Sequence, residues 1–312
     1  MLKTREGEQQ GRRGWRGVLR RLLLLGLRPE RVAHGLPLAE RPVHNARTQR
    51  LELRGQRGQT LVAWLIRPDS PAEVPSAVPV VIALHGWGAN ASTLWPLVAP
   101  VVEAGLAVLL FDAACHGDSS DEAFTSLPRF ADDLATIQQA LATQPGVNPA
   151  QVALLGHSVG AAAVLLHASR CADVRAVVCL SAFAHPREVM TRWLHAHGMR
   201  WRWMGEQVLE EVQHTIGARF DDIAPENRAS QVQAPVLLVH GAQDRVVPVS
   251  DAARLLTQLR RGDCLIVDGD HELAQLPVQH GHHIVAFLRH HLTLPGPVPD
   301  HDHRAMERTD AA

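Results

Sequence analysis

A chain of 312 residues with 46% hydrophobic content is long enough for one large α/β domain, or two small ones, with a sizeable core. A formal net charge of −1 excludes a whole-molecule field that would draw nucleic acid or an acidic membrane. The four cysteines (Cys115, Cys171, Cys179 and Cys264) form no C-x-x-C pair, which argues against a structural zinc or a disulfide framework and fits a reducing, cytoplasmic compartment; the absence of Tyr excludes any mechanism that needs a phenol hydroxyl.

Residues 1 to about 45 form a basic extension. Lys3, Arg5, Arg12, Arg13, Arg16, Arg20 and Arg21 surround a short apolar run, and Trp15, Leu19, Leu22 and Leu23 recur at helical spacing. The run is too short to span a bilayer, which takes about 20 apolar residues. It is also a poor signal peptide, because Arg28, Glu30 and Arg31 follow with no small-residue cleavage site. A helix packed on the domain is the favoured reading over a peripheral membrane anchor, since a single short basic helix binds membranes weakly.

From Arg50 the period changes to two. Leu51 and Leu53, then Leu61, Ala63 and Leu65, predict a hairpin of two half-buried strands around Gly55-Gln56-Arg57-Gly58. After a Pro/Ser loop, Val80 to Leu84 reads as a central strand covered on both faces. It ends in His85-Gly86-Trp87-Gly88, and a helix is expected over residues 92–104. Leu106 to Phe111 is the next buried strand and leads into the polar loop 112–120. Leu127, Phe130, Leu134, Ile137 and Leu141 step by three and four, the mark of an amphipathic helix.

Val152 to Leu155 then opens the stretch that organises the chain: Gly156-His157-Ser158-Val159-Gly160, followed by a small-residue helix. Gly-x-Ser-x-Gly between a strand and a helix forces a sharp turn that lifts the Ser hydroxyl from the sheet edge, and glycines at 156 and 160 let strand and helix approach closely. Arg175 to Leu180 is another β-branched run. Residues from about 181 to 233, rich in Trp, His and Arg with a helical stretch near Val208 to Ile216, read as a cap inserted over the sheet edge; Trp193, Trp201 and Trp203 could line a pocket there or form the core of the cap. Pro235 to Val239 resumes the sheet, Ser250 can cap the helix that follows, Cys264 to Val267 is the last strand, and a helix over residues 278–292 closes the domain. The polar tail over residues 293–312 is expected to be disordered.

Alternating buried strands and helices argue an α/β fold with a mostly parallel sheet and helices on both faces, and ligands in such sheets sit at the carboxyl ends of the strands. The polar motifs all fall at those ends. A Ser hydroxyl needs a base to take its proton, and the base needs an acid to fix its tautomer. Ser158, Asp244 in His240-Gly241-x-x-Asp244, and His271 in Gly269-Asp270-His271 supply nucleophile, acid and base in that chain order. The oxyanion requires two N–H donors, for which the backbone of Val159 and of Trp87 are the candidates.

These motifs, in this order, resemble those of the serine-dependent α/β-hydrolase superfamily over about Arg50 to Leu292. The resemblance implies an α/β-hydrolase fold with an eight-strand sheet, a Ser-His-Asp triad and an acyl-enzyme, with no cofactor and no metal. It implies a small-molecule acyl substrate, a carboxylic ester or thioester, with acyl-peptidase or aminopeptidase-like hydrolysis, or a non-catalytic binding protein on the same fold, as the alternatives. Where the superfamily's Asp-x-Arg-Gly-His-Gly-x-Ser loop has Arg, this chain has Ala114.

Other polar residues carry blander expectations. His85 and His240 are expected to brace loops, and His157 to shape the turn rather than act as base. Asp270 and Asp112 are rival acids, set behind Asp244 because a side chain adjacent to His271 points elsewhere and because Asp112 follows an earlier strand. The late histidines, including His280, His282, His283, His290 and His291, lack the i, i+4 spacing with a nearby carboxylate that a metal site needs, and are expected to be solvated.

Overall fold

The longest apolar runs of the chain become the middle of one sheet. The computed structural model describes residue 24 and residues 26–69, 77–199 and 201–292. Its strands are β1 (Ala46–Arg54), β2 (Thr60–Pro68), β3 (Val78–Leu84), β4 (Ala107–Phe111), β5 (Val147–His157), β6 (Val174–Leu180), β7 (Val236–Gly241) and β8 (Gly262–Val267). They form one eight-stranded sheet in the order β1-β2-β4-β3-β5-β6-β7-β8. β2 pairs antiparallel with β1, Leu53 lying opposite Leu61, and antiparallel with β4; all other neighbours are parallel.

The helices are α1 (Val98–Glu103), α2 (Leu127–Ala140), α3 (Val159–Ala168), α4 (Pro186–Ala196), α5 (Arg202–Ile216), α6 (Phe220–Ile223), α7 (Pro225–Arg228), α8 (Ser250–Gln258), α9 (Leu276–Gln279) and α10 (Gly281–His291). Alternate residues of each strand feed two cores. Ile82 and Leu84 join Phe130 and Leu134 of α2 and Val164 of α3 on one face, whereas Val81 and Ala83 join Val98 and Val101 of α1 and Ile284 and Leu288 of α10 on the other. With both faces covered, the central strands are apolar throughout rather than alternating.

Four local expectations are corrected. β2 is not half-buried: Leu61 to Ile66 are all buried, because β2 lies between β1 and β4 with both faces covered, and only β1 alternates. The helix expected over 92–104 is a 3-10 turn over Ala91–Leu97 followed by α1. Asn90 caps the turn by accepting from Ser92 N–H at 3.0 Å, and Pro96, which has no N–H, prevents one continuous α-helix. Ser250 does not cap α8 but is its first residue, with Val249 in the cap position. The closing helix is split into α9 and α10 at His280, whose φ of −131° is not helical.

Between β6 and β7 the chain builds α4 to α7. The helix expected near Val208 starts earlier, at Arg202, and buries Val208, Leu209 and Val212. Trp193, Trp201 and Trp203 are exposed, so none of them is cap core. The basic helix expected around Trp15 to Leu23, and the polar tail, lie outside the described residues.

Candidate active site

The site is organised by the turn from β5 into α3. Ser158 sits on it at φ 53° and ψ −115°, a conformation unfavourable for a residue with a Cβ. The turn is held from outside: Ser158 N–H donates to Leu180 O at 2.8 Å, and Ser158 O accepts from Ala162 N–H at 3.0 Å. The flanking glycines are steric necessities. A Cβ on Gly156 would overlap the Gly160 carbonyl, and a Cβ on Gly160 would overlap the carbonyl oxygens of Leu84 and His85.

Three residues from three strand ends meet at this turn. His271 Nε2 lies 3.0 Å from Ser158 Oγ, placed to accept its proton. His271 Nδ1–H donates to Asp244 Oδ2 at 2.8 Å. The other carboxylate oxygen, Asp244 Oδ1, accepts from Val246 N–H and Val247 N–H, each at 2.8 Å. The bonded Nδ1 fixes which His271 nitrogen faces Ser158.

The Asp244 side chain is fully buried. Burial alone would raise its pKa, but hydrogen bonds from His240, His271 and Val247 N–H outweigh that and hold the carboxyl well below the usual carboxylate range. His240 Nε2 donates to Val247 O at 2.9 Å and lies 3.4 Å from Asp244 Oδ2, so it braces the Asp244 loop. Burial would lower the His240 pKa, and the bonds to Asp244 and Val247 O raise it instead.

The backbone of His271 is pinned as well. Its carbonyl oxygen accepts from His157 Nε2–H at 2.8 Å and from Ser181 Oγ–H at 2.9 Å. His157 thus lies against the turn and spends its ring on the His271 loop; burial pushes its pKa down. Ser181 carries no signal of this role in the sequence. It follows β6 at φ 51°, a backbone setting that no sequence pattern announces. Asp270, the rival acid beside His271, is exposed and accepts from Glu272 N–H at 3.1 Å.

The His85-Gly86-Trp87-Gly88 turn sits against Ser158: a Cβ on Gly86 would lie 3.3 Å from Ser158 Cβ. Two neutral histidines hold it. His85 Nδ1–H donates to Gly86 O at 2.7 Å and its Nε2 accepts from Ala113 N–H at 3.1 Å, the bracing role expected of it. His116 Nε2 accepts from Gly88 N–H at 3.2 Å, and its Nδ1–H donates to Ala114 O at 3.1 Å. Burial pushes the His116 pKa down to about 3, so its acceptor lone pair stays available. Val159 opens α3, so its N–H has no intrahelical acceptor, and Trp87 N–H makes no hydrogen bond among the described residues.

Asp112 is committed elsewhere. It is fully buried, accepting from Ala91 N–H at 2.8 Å, Asp118 N–H at 2.7 Å and His34 Nε2–H at 2.7 Å. Burial would raise its pKa, and these bonds lower it. The loop after it, which has Ala114 in place of Arg, is braced by a residue remote in sequence: Arg31 donates to the carbonyls of His116 and Ser119 at 3.1 and 2.8 Å and also to that of Gly117. No local pattern marks Arg31 or His34 for this role, because they act through contacts with residues 88 and 78 positions away. His34, Asp112 and Asp118 form a group whose potential ligand atoms lie within 4.8 Å of one another. The late histidines lie ring against ring along α10, the His282–His283 pair tilted with centroids 4.0 Å apart and the His290–His291 pair edge-on at 4.6 Å.

An eight-strand sheet in this order, with a strained serine between β5 and the following helix, is the α/β-hydrolase fold. Residues 75–224 match the family described as serine aminopeptidase, S33. The chain is 29% identical to the protein YfhR of Salmonella typhimurium over 219 residues, 69% of this chain and 71% of that one. It is 29% identical to Rv2307c of Mycobacterium tuberculosis over 202 residues, 64% of this chain and 63% of that one. Among solved structures, the Pyrococcus furiosus esterase Pf2001 superposes with a TM-score of 0.67 at 18% identity, covering 85% of this chain and 97% of the esterase. The acetyl xylan esterase of Paenibacillus sp. R4 superposes with a TM-score of 0.65 at 18% identity, covering 81% of this chain and 86% of that one.

Proposed function

We propose that this protein is a serine hydrolase that cleaves a carboxylic ester or thioester through an acyl-enzyme. The observation that carries the reading is the unbroken relay from Ser158 Oγ through His271 to the buried Asp244. Ser158 Oγ attacks the carbonyl carbon as His271 Nε2 takes its proton. Asp244, ionised at neutral pH, orients His271 and stabilises the imidazolium. The N–H groups of Val159 and Trp87 receive the oxyanion; one such donor is worth about 3–4 kcal/mol of transition-state stabilisation. His271 then protonates the leaving group, and water releases the acyl group by the same steps in reverse.

A second reading is supported by the matched family description: hydrolysis of an amide at a peptide amino terminus. It would need a carboxylate to hold the substrate ammonium: Asp112 and Asp244 already spend their oxygens on hydrogen bonds, which leaves the exposed Asp270 and Glu272 beside His271. Ester cleavage is favoured by the esterases among the structural neighbours. A binding protein without catalysis is disfavoured because it would have no use for all three relay residues. Four free cysteines support a reducing compartment such as the cytoplasm, and among the described residues no helix is long and apolar enough to cross a membrane.

The test is a panel of p-nitrophenyl esters, acyl thioesters and aminoacyl anilides given to the purified protein and to Ser158→Ala. Turnover of the esters or thioesters by the parent, lost in the variant, supports the reading. Equal rates in the two proteins would sink Ser158 as nucleophile, and turnover of the anilides alone would assign the protein to amide hydrolysis.

A further inference from the structure

α4 and α5 form a helical hairpin whose turn differs from the rest of the surface. Trp193 lies in the last turn of α4, Trp201 immediately precedes α5, and Trp203 is in its first turn. They are 53%, 67% and 62% exposed, whereas Trp64 is 2% exposed and Trp87 37%. Three large indoles left in water at one end of one hairpin are unfavourable unless something covers them.

The charge around them is of one sign. From Val189 to Gly205 the sequence holds Arg192, Arg200 and Arg202 with His195 and His197, and no Asp or Glu. Arg202 is exposed and forms no ion pair among the described residues. Glu188 and Glu206 lie outside that window and are taken by Arg254 and Arg187, and Arg192 is itself paired with Glu188 at 3.9 Å and Asp251 at 3.7 Å, which leaves Arg202 as the unpaired charge beside the indoles. His197 stacks on Trp193 with ring centroids 4.1 Å apart, extending the aromatic surface.

From this pairing of exposed Trp with the unpaired Arg202 we infer that the α4–α5 tip docks on an anionic lipid surface. An indole is apolar in its body and carries one N–H donor, so it is most stable at the headgroup boundary of a bilayer. Arginine beside it is drawn to anionic headgroups. A second copy of the same tip is a poorer occupant, since a symmetric contact would bring the same arginines together. The hairpin leaves the sheet at the carboxyl end of β6, where Ser181 holds the His271 carbonyl. The inference concerns a surface and does not depend on the chemistry at Ser158.

The experiment uses the full chain, sedimented with vesicles of phosphatidylcholine alone and of phosphatidylcholine with phosphatidylglycerol. The parent is expected to bind the anionic vesicles, less so at high salt, with a blue shift of Trp emission. The triple variant Trp193→Ser, Trp201→Ser, Trp203→Ser is expected to keep the parent's circular dichroism and to lose about tenfold or more in partitioning. Arg202→Glu should weaken binding to the anionic vesicles. No binding by the parent overturns the inference. So does binding that survives the triple variant, including binding lost only on removal of residues 1–23, which assigns the contact to the amino-terminal segment. A dimer of the parent that is lost in the triple variant, with no vesicle binding, assigns the tip to self-association instead.

Discussion

His157 Nε2 donates to the carbonyl oxygen of His271 at 2.8 Å, so the residue directly before Ser158 fixes the backbone of the residue that faces Ser158 Oγ. Ser158 and His271 are thereby built into one rigid unit, although 113 residues separate them. His157 is a positioning residue by this geometry, because its ring is spent on a backbone carbonyl. His157→Ala should lower kcat by about tenfold while leaving KM nearly unchanged, the pattern of a lost alignment rather than a lost substrate contact. His157→Gln, which keeps a donor, should recover part of the loss. A change in KM alone, with kcat intact, would remove His157 from this role.

Asp244 accepts from two backbone N–H groups as well as from His271, so its replacement by Asn perturbs charge and tautomer more than shape. Asp244→Asn should keep the parent's melting behaviour within a few degrees and lose about 10³- to 10⁴-fold in kcat. Labelling of Ser158 by a fluorophosphonate probe should slow in parallel. Undiminished turnover in this variant would transfer the acid's role to another carboxylate.

The close approach of α3 to β3 leaves no room beside Gly160. Gly160→Ala must push α3 away from the Leu84 and His85 carbonyls, which should destabilise the protein by about 2–3 kcal/mol and displace Ser158. Urea unfolding measures the first effect and ester turnover the second. A variant with parental stability and activity would show that the helix can shift freely.

Two buried histidines predict an acid-side loss of stability. Burial pushes the His116 pKa down to about 3 and that of His167 to about 4, against about 6.5 in the unfolded chain. The folded state therefore binds fewer protons below about pH 6.5 than the unfolded state does. Stability is full above that pH and falls as the pH drops toward the folded values, by up to about 1.4 kcal/mol per pH unit for each histidine. His167 Nε2–H donates to Gln138 Oε1 at 2.7 Å, away from the site, so His167→Gln can be tested without touching it. Urea midpoints between about pH 7 and about pH 5 should fall less steeply in that variant. An identical slope would mean that His167 is protonated in the fold.

Much of this was legible in the sequence. Apolar runs such as Val80 to Leu84 and Val152 to Leu155 could only be strands with both faces covered, and the polar motifs that follow them had to fall at one edge of a parallel sheet. That alone named Ser158, Asp244 and His271 as a group, because each is fixed by the few residues around it. Local breaks were harder. The interruption at Pro96, the split at His280 and the burial of β2 depend on neighbours that periodicity does not reveal.

The sequence by itself determined the fold class, the strand ends and the chain order of the three residues that converge on the turn at Ser158, since hydrophobic period and Gly-x-Ser-x-Gly are local signals. Only the tertiary structure decided what holds them: His157 and Ser181 on the His271 carbonyl, His116 under the Gly88 turn, and Arg31 on the loop that has Ala114. Those bonds join segments as much as 114 residues apart. A hydrogen bond needs its partners within about 3 Å, and chain separation says nothing about that distance until the sheet has formed.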